Sequence, residues 1–140
     1  MTQQAILCVD DEPMILMNLR DQLANHFGEQ YDYEFAENAA EAWEVIDEMA
    51  EDGIILLAII CDWLMPEVKG DEFLIDVHQQ YPSVIKILLT GQADPAAVDR
   101  LKKQTQLQAY LVKPWDRKNL LEILELKLRG AHAERFDCVC

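Results

Sequence analysis

The chain has 140 residues, 51% of them hydrophobic, which suits one compact domain with a substantial core. Its formal net charge of −14 makes a surface that repels phosphate backbones, so we expect no direct nucleic-acid binding. The N-terminal residues lack the basic start and long apolar core of a signal peptide, and no segment is long enough for a membrane helix. The composition therefore predicts a soluble, cytoplasmic protein that does not bind membranes.

The first predicted strand and helix are separated by acidic residues. Residues 5–9 form a short apolar strand, and Asp10 and Asp11 follow it directly. Pro13 then opens a helix at a position where proline is tolerated, and Gly28 ends this helix. The two aspartates are therefore expected in the loop after the first strand.

The second strand is weakly signalled, whereas the third is the strongest of the chain. Residues 33–36 form the second strand, and Asn38 with Glu41 resembles a capping box at the start of a helix. Residues 54–61 are an apolar run without alternation, which predicts a strand buried on both faces, as in a parallel sheet. Asp62 stands alone at the carboxyl end of this strand.

The next elements repeat the same alternation. Pro66 and Gly70 mark the loop after Asp62, and a third helix follows over 73–81. Residues 84–89 form a fourth strand, which is followed directly by Thr90. Strands that alternate with helices in this way predict an α/β fold with a parallel sheet.

The last predicted strand is followed by a lysine. Asp94 with Pro95 predicts the start of a short, polar fourth helix that is anchored by few apolar residues. Residues 107–112 form the fifth strand, Lys113 follows it, and Asp116 caps the last helix. We interpret 1–129 as one domain and 130–140 as a loose tail or the start of a linker. The Cys-x-Cys pair in this tail does not have a usual zinc spacing.

Polar side chains follow the strand ends, and in a parallel sheet these ends share one edge. The residues concerned are Asp10, Asp11, Asp62, Thr90 and Lys113. Two carboxylates about 4 Å apart repel by roughly 4 kcal/mol at an effective dielectric near 20, so crowded carboxylates either take up a proton or recruit a cation. Oxygen ligands suit Mg²⁺, and a carboxylate can hold a phosphoryl group as a nucleophile. Taken singly, these residues are ordinary caps or solvated loop residues; their coincidence at one edge favours a phosphoryl acceptor at Asp62.

Four motifs carry a resemblance to a known family. They are C-V-D-D-E at 8–12, D-W-L-M-P-E-V-K-G at 62–70, L-L-T-G at 88–91 and Y-L-V-K-P at 110–114. In this order and spacing the chain resembles the receiver domain of two-component response regulators over residues 4–129. The resemblance implies a doubly wound, flavodoxin-like α/β fold: a five-stranded parallel sheet of order 2-1-3-4-5 with five flanking helices.

The resemblance also implies roles for the residues at the predicted edge. A histidine kinase or phosphotransfer protein would phosphorylate Asp62. Mg²⁺ would be held by Asp11 directly, by Asp10 largely through water, by Asp62 and by the backbone carbonyl of Leu64. Lys113 would contact the phosphoryl group. The domain would be a switch that catalyses only its own phosphorylation and dephosphorylation, and not a turnover enzyme.

The implied switch lies beside this site. Thr90 would move toward the phosphoryl group and Tyr110 would rotate inward behind it. The two changes would bias the conformation of the surface formed by helix 4, strand 5 and helix 5. On this surface a partner would dock, or a second copy of the chain would form a homodimer. The bond between Lys113 and Pro114 would be cis, and Gly70 would have a structural role.

The chain also departs from the family pattern. Gly91 replaces the alanine that is common after the switch threonine, and Trp115 replaces a more usual phenylalanine. Leu64 and Gln92 occupy the two variable positions that tune phosphate loss in this family. We hypothesise that the apolar Leu64 hinders attacking water and makes the phosphorylated form long-lived.

Three alternatives remain at this stage. The chain is either a stand-alone regulator or a receiver excised from a larger multidomain regulator. An aspartate-nucleophile phosphatase of the dehalogenase type would need a general acid two residues after Asp62, where Leu64 stands, so this class is disfavoured. A degenerate receiver that only binds partners is disfavoured because every acceptor, metal and switch position is filled.

Overall fold

The computed structural model describes residues 3–91, 95–105 and 109–139. In this part of the chain, strands and α-helices alternate, with a 3-10 turn at Gly28–Gln30 after the first helix. The strands are β1 (Gln4–Val9), β2 (Asp32–Ala36), β3 (Ile55–Asp62), β4 (Ile85–Thr90) and β5 (Ala109–Val112). The helices are α1 (Pro13–Phe27), α2 (Ala39–Glu51), α3 (Gly70–Gln80), α4 (Pro95–Gln104) and α5 (Arg117–Val139). None of these helices is both long and apolar enough to span a membrane.

The five strands form one sheet in the order β2-β1-β3-β4-β5, and each neighbouring pair is parallel. The predicted doubly wound, flavodoxin-like α/β fold and its strand order are therefore confirmed. In the register, Val9 pairs with Cys61 and Asp62 pairs with Leu89. The carboxyl ends of the central strands consequently lie side by side.

Helices cover both faces of the sheet, and each face has its own core. The core that contains Ile59 and Cys61 of β3 is closed by residues of α2, α3 and α4. The core that contains Ala58 and Ile60 is closed by α1 and α5. The apolar run of β3 is thus buried on both faces, as its lack of alternation predicted.

Local capping signals were predicted correctly. The Asn38 side chain accepts a hydrogen bond from the Glu41 backbone nitrogen at 2.8 Å, which starts α2. Asp116 accepts in the same way from the Lys118 backbone nitrogen at 3.0 Å and starts α5. Gly28 follows α1 with φ +63°, a conformation that glycine adopts without steric cost.

The last helix is longer than the sequence predicted. Helix α5 continues through residues 130–139, which we expected to form a loose tail or the start of a linker. A single glycine inside a helix costs only about 1 kcal/mol relative to alanine. The residues that follow Gly130 include alanine, glutamate and arginine, which are good helix formers. The domain boundary after residue 129 stays a prediction. Leu121 of α5 is buried against the sheet, whereas Leu126 is 67% exposed.

Three sequence predictions concern positions outside the described residues. They are the helix start at Asp94, the first residues of the fifth strand at 107–108 and the role of Gln92. Within the described part, α4 begins at Pro95, and Val98 and Leu101 are the apolar residues that it buries in the core.

Candidate functional site

The structure brings the predicted site residues to one edge of the sheet. Asp10 follows β1, Asp62 and Thr90 are the last residues of β3 and β4, and Lys113 follows β5. The ligand oxygens of Asp10, Asp11 and Asp62 all lie within 4.8 Å of one another. The strand ends therefore converge as the parallel topology required.

One ammonium group bridges two of the carboxylates. The Lys113 Nζ lies 2.8 Å from Asp10 Oδ2 and 3.1 Å from Asp62 Oδ1. The Asp10 side chain is fully buried and that of Asp62 is nearly so, whereas Asp11 is exposed. Asp10 Oδ1 also accepts a hydrogen bond from the Glu12 backbone nitrogen at 2.9 Å, which fixes the direction of its carboxylate.

Burial and charge act in opposite directions on these groups. Burial and the neighbouring Asp10 raise the pKa of Asp62 to about 6, although Lys113 opposes this shift. Burial by itself would lower the pKa of Lys113, but its hydrogen bonds and charge interactions with Asp10 and Asp62 outweigh burial and raise it. The carboxylates are therefore crowded beyond what one lysine neutralises.

The three carboxylates fit a divalent metal ion by their chemistry. Their donor atoms are all oxygen, which Mg²⁺ prefers, and exposed Asp11 leaves one side of the cluster open to water. The ionised cluster carries three negative charges against the single positive charge of Lys113. A divalent cation would balance the remaining two charges.

The loop after Asp62 is held against the sheet by its backbone. The Trp63 backbone nitrogen donates to the Leu89 carbonyl at 2.7 Å, and the Gly70 nitrogen donates to the Trp63 carbonyl at 2.7 Å. A Cβ atom on Gly70 would lie 2.0 Å from the Asp62 carbonyl oxygen, so only glycine fits there. Leu64 lies in this loop with its side chain 63% exposed.

Thr90 and Tyr110 occupy different environments. Thr90 is buried, and its backbone carbonyl accepts a hydrogen bond from the Lys113 backbone nitrogen at 2.7 Å. Tyr110 is 40% exposed, and the Lys102 Nζ lies 5.6 Å from its ring centre. The Lys113–Pro114 bond is cis, as the resemblance implied.

Sequence reasoning missed two buried charged residues. Asp71 in the first turn of α3 is 1% exposed and is ion-paired with Arg100 of α4. From the sequence, Asp71 is an ordinary acidic residue of a helix N-terminus. Lys86 of β4 is fully buried, and the apolar residues on both sides of it are the one signal that pointed there.

The chain belongs to the response regulator receiver domains. The family described as "Response regulator receiver domain" matches residues 6–125. The fold and the position of the acidic cluster agree with this assignment. The chain is therefore a receiver domain of the two-component signalling class.

Individual relatives cover different shares of their own length. The chemotaxis protein CheY1 of Helicobacter pylori is 30% identical over 125 residues, which are 88% of this chain and 95% of CheY1. The hydrogenase transcriptional regulatory protein HoxA of Bradyrhizobium diazoefficiens is 26% identical over 88% of this chain but only 24% of HoxA. The chain thus spans about a quarter of the length of HoxA.

The solved structures that match share the whole fold. The signal receiver domain of an HD domain-containing protein from Pseudomonas fluorescens Pf-5 has a TM-score of 0.83 and 30% identity. The match covers 94% of this chain and 98% of that domain. The CheY-like receiver domain from Methanospirillum hungatei JF-1 has a TM-score of 0.80 and 28% identity, over 95% of this chain and 99% of that one.

Proposed function

We propose that Asp62 accepts a phosphoryl group from a histidine of a partner kinase or phosphotransfer protein in the cytoplasm. The observation that carries this proposal is the position of the Lys113 ammonium between the carboxylates of Asp10 and Asp62. An attacking Asp62 oxygen would form the new O–P bond while the P–N bond to the donor imidazole breaks. Lys113 and the Thr90 hydroxyl would then contact the phosphoryl oxygens.

Mg²⁺ is the cofactor of this proposal. Asp10, Asp11, Asp62 and the backbone carbonyl of Leu64 would hold it, with Asp10 acting largely through water. Bound there, Mg²⁺ would neutralise charge on the phosphoryl group and align it for in-line transfer. Support comes from the all-oxygen donor set of the three carboxylates and from their uncompensated charge.

The phosphorylated state would be read out on the surface of α4, β5 and α5. Thr90 and Tyr110 would change position together, and this would shift the population of α4 conformations. The exposed Tyr110 and Val112 give this surface an apolar component, to which a partner protein or a second copy could dock. No direct nucleic-acid or membrane contact is part of this role.

The domain would act within a larger signalling pathway and not as a turnover enzyme. Leu64 stands where a phosphatase of the dehalogenase type needs its acid, so hydrolysis of a separate substrate is disfavoured. The short match to HoxA is compatible with a receiver that belongs to a longer regulator. In this proposal residues 1–129 are the receiver and 130–140 lead into a linker.

The experiment is incubation of the chain with acetyl phosphate and Mg²⁺, followed by intact mass and oligomeric state. We expect one added phosphoryl group, a dependence on Mg²⁺, and loss of the modification in Asp62→Asn. Asp76→Asn, at an exposed position on α3, is the matched control and should be modified normally. Modification of Asp62→Asn to the wild-type level would refute the assignment.

The hypothesis for Leu64 has its own test. Its side chain is 63% exposed in the loop after Asp62. Leu64→Asn should speed the loss of the phosphoryl group severalfold, because an amide can position water that an apolar side chain hinders. The rate is measured as the decay of phosphorylated protein after removal of acetyl phosphate, and an unchanged decay rate would contradict the hypothesis.

A further inference from the structure

A buried ion pair connects the acceptor loop to α4. Among the described residues, Asp71 is the one buried carboxylate apart from Asp10 and Asp62. Its Oδ1 accepts a hydrogen bond from the Trp63 indole nitrogen at 3.1 Å, and its Oδ2 accepts one from the Arg100 guanidinium. One carboxylate thus contacts both the residue that follows Asp62 and the middle of α4.

The loop side of this connection is rigid. Trp63 is fixed to β4 and α3 by its backbone hydrogen bonds to Leu89 and Gly70. The Gly70 backbone lies directly against the Asp62 carbonyl, where no Cβ atom fits. The Lys69 Nζ lies 5.3 Å from the centre of the Trp63 ring. The position of the Trp63 indole is therefore set by the same backbone that positions Asp62.

The α4 side is less constrained. Val98 and Leu101 are the buried apolar residues that α4 contributes among those described, and Arg100 is 45% exposed. The Asp71 carboxylate, by contrast, is 1% exposed. If α4 moved away from α3, the Asp71 carboxylate would lose its counterion, which is unfavourable. The ion pair therefore opposes displacement of α4.

We propose that Asp71 is a positioning residue that holds α4 in its present place through Arg100 and so sets how readily modification of Asp62 is transmitted to α4. This inference rests on the proposed function of Asp62. In this proposal the displaced state of α4 is the one in which Asp62 binds a phosphoryl group more tightly. A change that releases α4 raises the population of that state and therefore tightens binding at Asp62. The restraint therefore lowers the apparent affinity of the site.

The test uses beryllofluoride with Mg²⁺ as a phosphoryl mimic on the full chain. We expect Arg100→Gln to bind it about five- to tenfold more tightly than the wild type, in titration calorimetry. Lys103→Gln removes the same charge from an exposed position on α4 and should stay within about twofold of the wild type. Asp71→Asn keeps an acceptor for Trp63 but removes the charge, and should match Arg100→Gln.

Two further measurements separate a restraint from a general loss of stability. Without beryllofluoride, amide hydrogen exchange in α4 should be faster in Arg100→Gln than in Lys103→Gln, and exchange in β1 should be unchanged. Arg100→Lys keeps the charge and should return toward the wild type. If Arg100→Gln does not fold, the double variant Asp71→Asn/Arg100→Gln leaves no unpaired charge and should show the same tightening.

The outcomes distinguish this inference from the proposed function. Failure of the wild type to bind beryllofluoride or accept phosphate would refute the role of Asp62, and α4 exchange would still decide whether the ion pair restrains the helix. If the wild type binds while Arg100→Gln and Asp71→Asn bind equally well or more weakly, with α4 exchange as in Lys103→Gln, the restraint is overturned.

Discussion

Two lysines at opposite ends of the sheet are largely shielded from water, Lys86 fully and Lys113 with 15% of its side chain exposed, yet their surroundings change their pKa in opposite directions. Lys113 lies at the carboxyl edge between Asp10 and Asp62, and these partners raise its pKa despite burial. Lys86 lies near the amino end of β4, where its Nζ donates to the Val84 carbonyl at 2.7 Å. Burial lowers the pKa of Lys86 to about 8.

The difference shows that the partners of a shielded charge, and not its burial alone, decide the direction in which its pKa shifts. At the carboxyl edge the negative charge of the ionised carboxylates exceeds the positive charge of Lys113. At the amino edge the Lys86 ammonium is solvated by carbonyl dipoles, which stabilise a charge less than a carboxylate does. The first arrangement is suited to chemistry, whereas the second is a feature of packing.

The largest expected effect comes from the backbone packing of the carboxyl edge. Gly70→Ala should lower the free energy of unfolding by about 3 kcal/mol, because its Cβ would overlap the Asp62 carbonyl and force the acceptor loop to move. Gly91→Ala is the matched control: no atom lies within 4 Å of a Cβ there, so stability should change by less than about 0.5 kcal/mol. Urea unfolding at pH 7 measures both, and equal stabilities would contradict the close contact.

The next effect removes the cation from the carboxyl edge. Lys113→Met should lower the free energy of unfolding by about 2 kcal/mol at pH 7 without Mg²⁺, because Asp10 and Asp62 lose their shared counterion. Millimolar Mg²⁺ should restore part of this loss if the carboxylates bind it. Lys118→Met, at an exposed position, should behave as the wild type. An unchanged stability of Lys113→Met would mean that the bridge contributes nothing to the fold.

Removal of the acceptor charge should have the opposite sign. The pKa of Asp62 is about 6 in the fold and near 3.9 in an unfolded chain, so the folded state binds more protons between these values and stability falls as pH rises through them. Asp62→Asn should therefore be more stable than the wild type by about 1–2 kcal/mol at pH 7 without Mg²⁺. The stability advantage of Asp62→Asn should vanish at pH 4, where the wild-type carboxyl group is protonated in the fold. Urea unfolding at pH 7 and pH 4 measures this, and an equal advantage at both pH values would contradict the prediction.

The smallest effect concerns the amino edge. Lys86 has a folded pKa of about 8 against about 10.4 unfolded, so the unfolded state binds more protons between these values and stability rises with pH there. Relative to Lys86→Met, the wild type should gain about 1 kcal/mol between pH 7 and pH 9. Comparison of the two proteins in parallel unfolding curves cancels the titration of the other groups. A constant difference between them would show that the pKa of Lys86 is not lowered.

Much of the candidate site followed from order along the chain. An uninterrupted apolar run predicts a strand with two covered faces, and parallel strands bring their carboxyl ends to one edge. Asp10, Asp62, Thr90 and Lys113 each stand directly after a predicted strand, so their proximity could be predicted without coordinates. The caps at Asn38 and Asp116 were equally accessible, because a cap depends on neighbours within one turn.

Other features depended on side chains that are distant in sequence. The Lys113 bond to Asp10 spans 103 residues and the Arg100 bond to Asp71 spans 29, so both depend on how complete elements dock. The burial of a basic residue within a strand, such as Lys86, is signalled locally only by the apolar residues on both sides of it. The sequence by itself determined the helices and strands, their order and the edge of the sheet at which the charged residues lie. It could do so because the periodicity of apolar residues and helix capping are local properties. Only the tertiary structure decided which charges pair, because pairing depends on the angle and depth at which helices pack on the sheet.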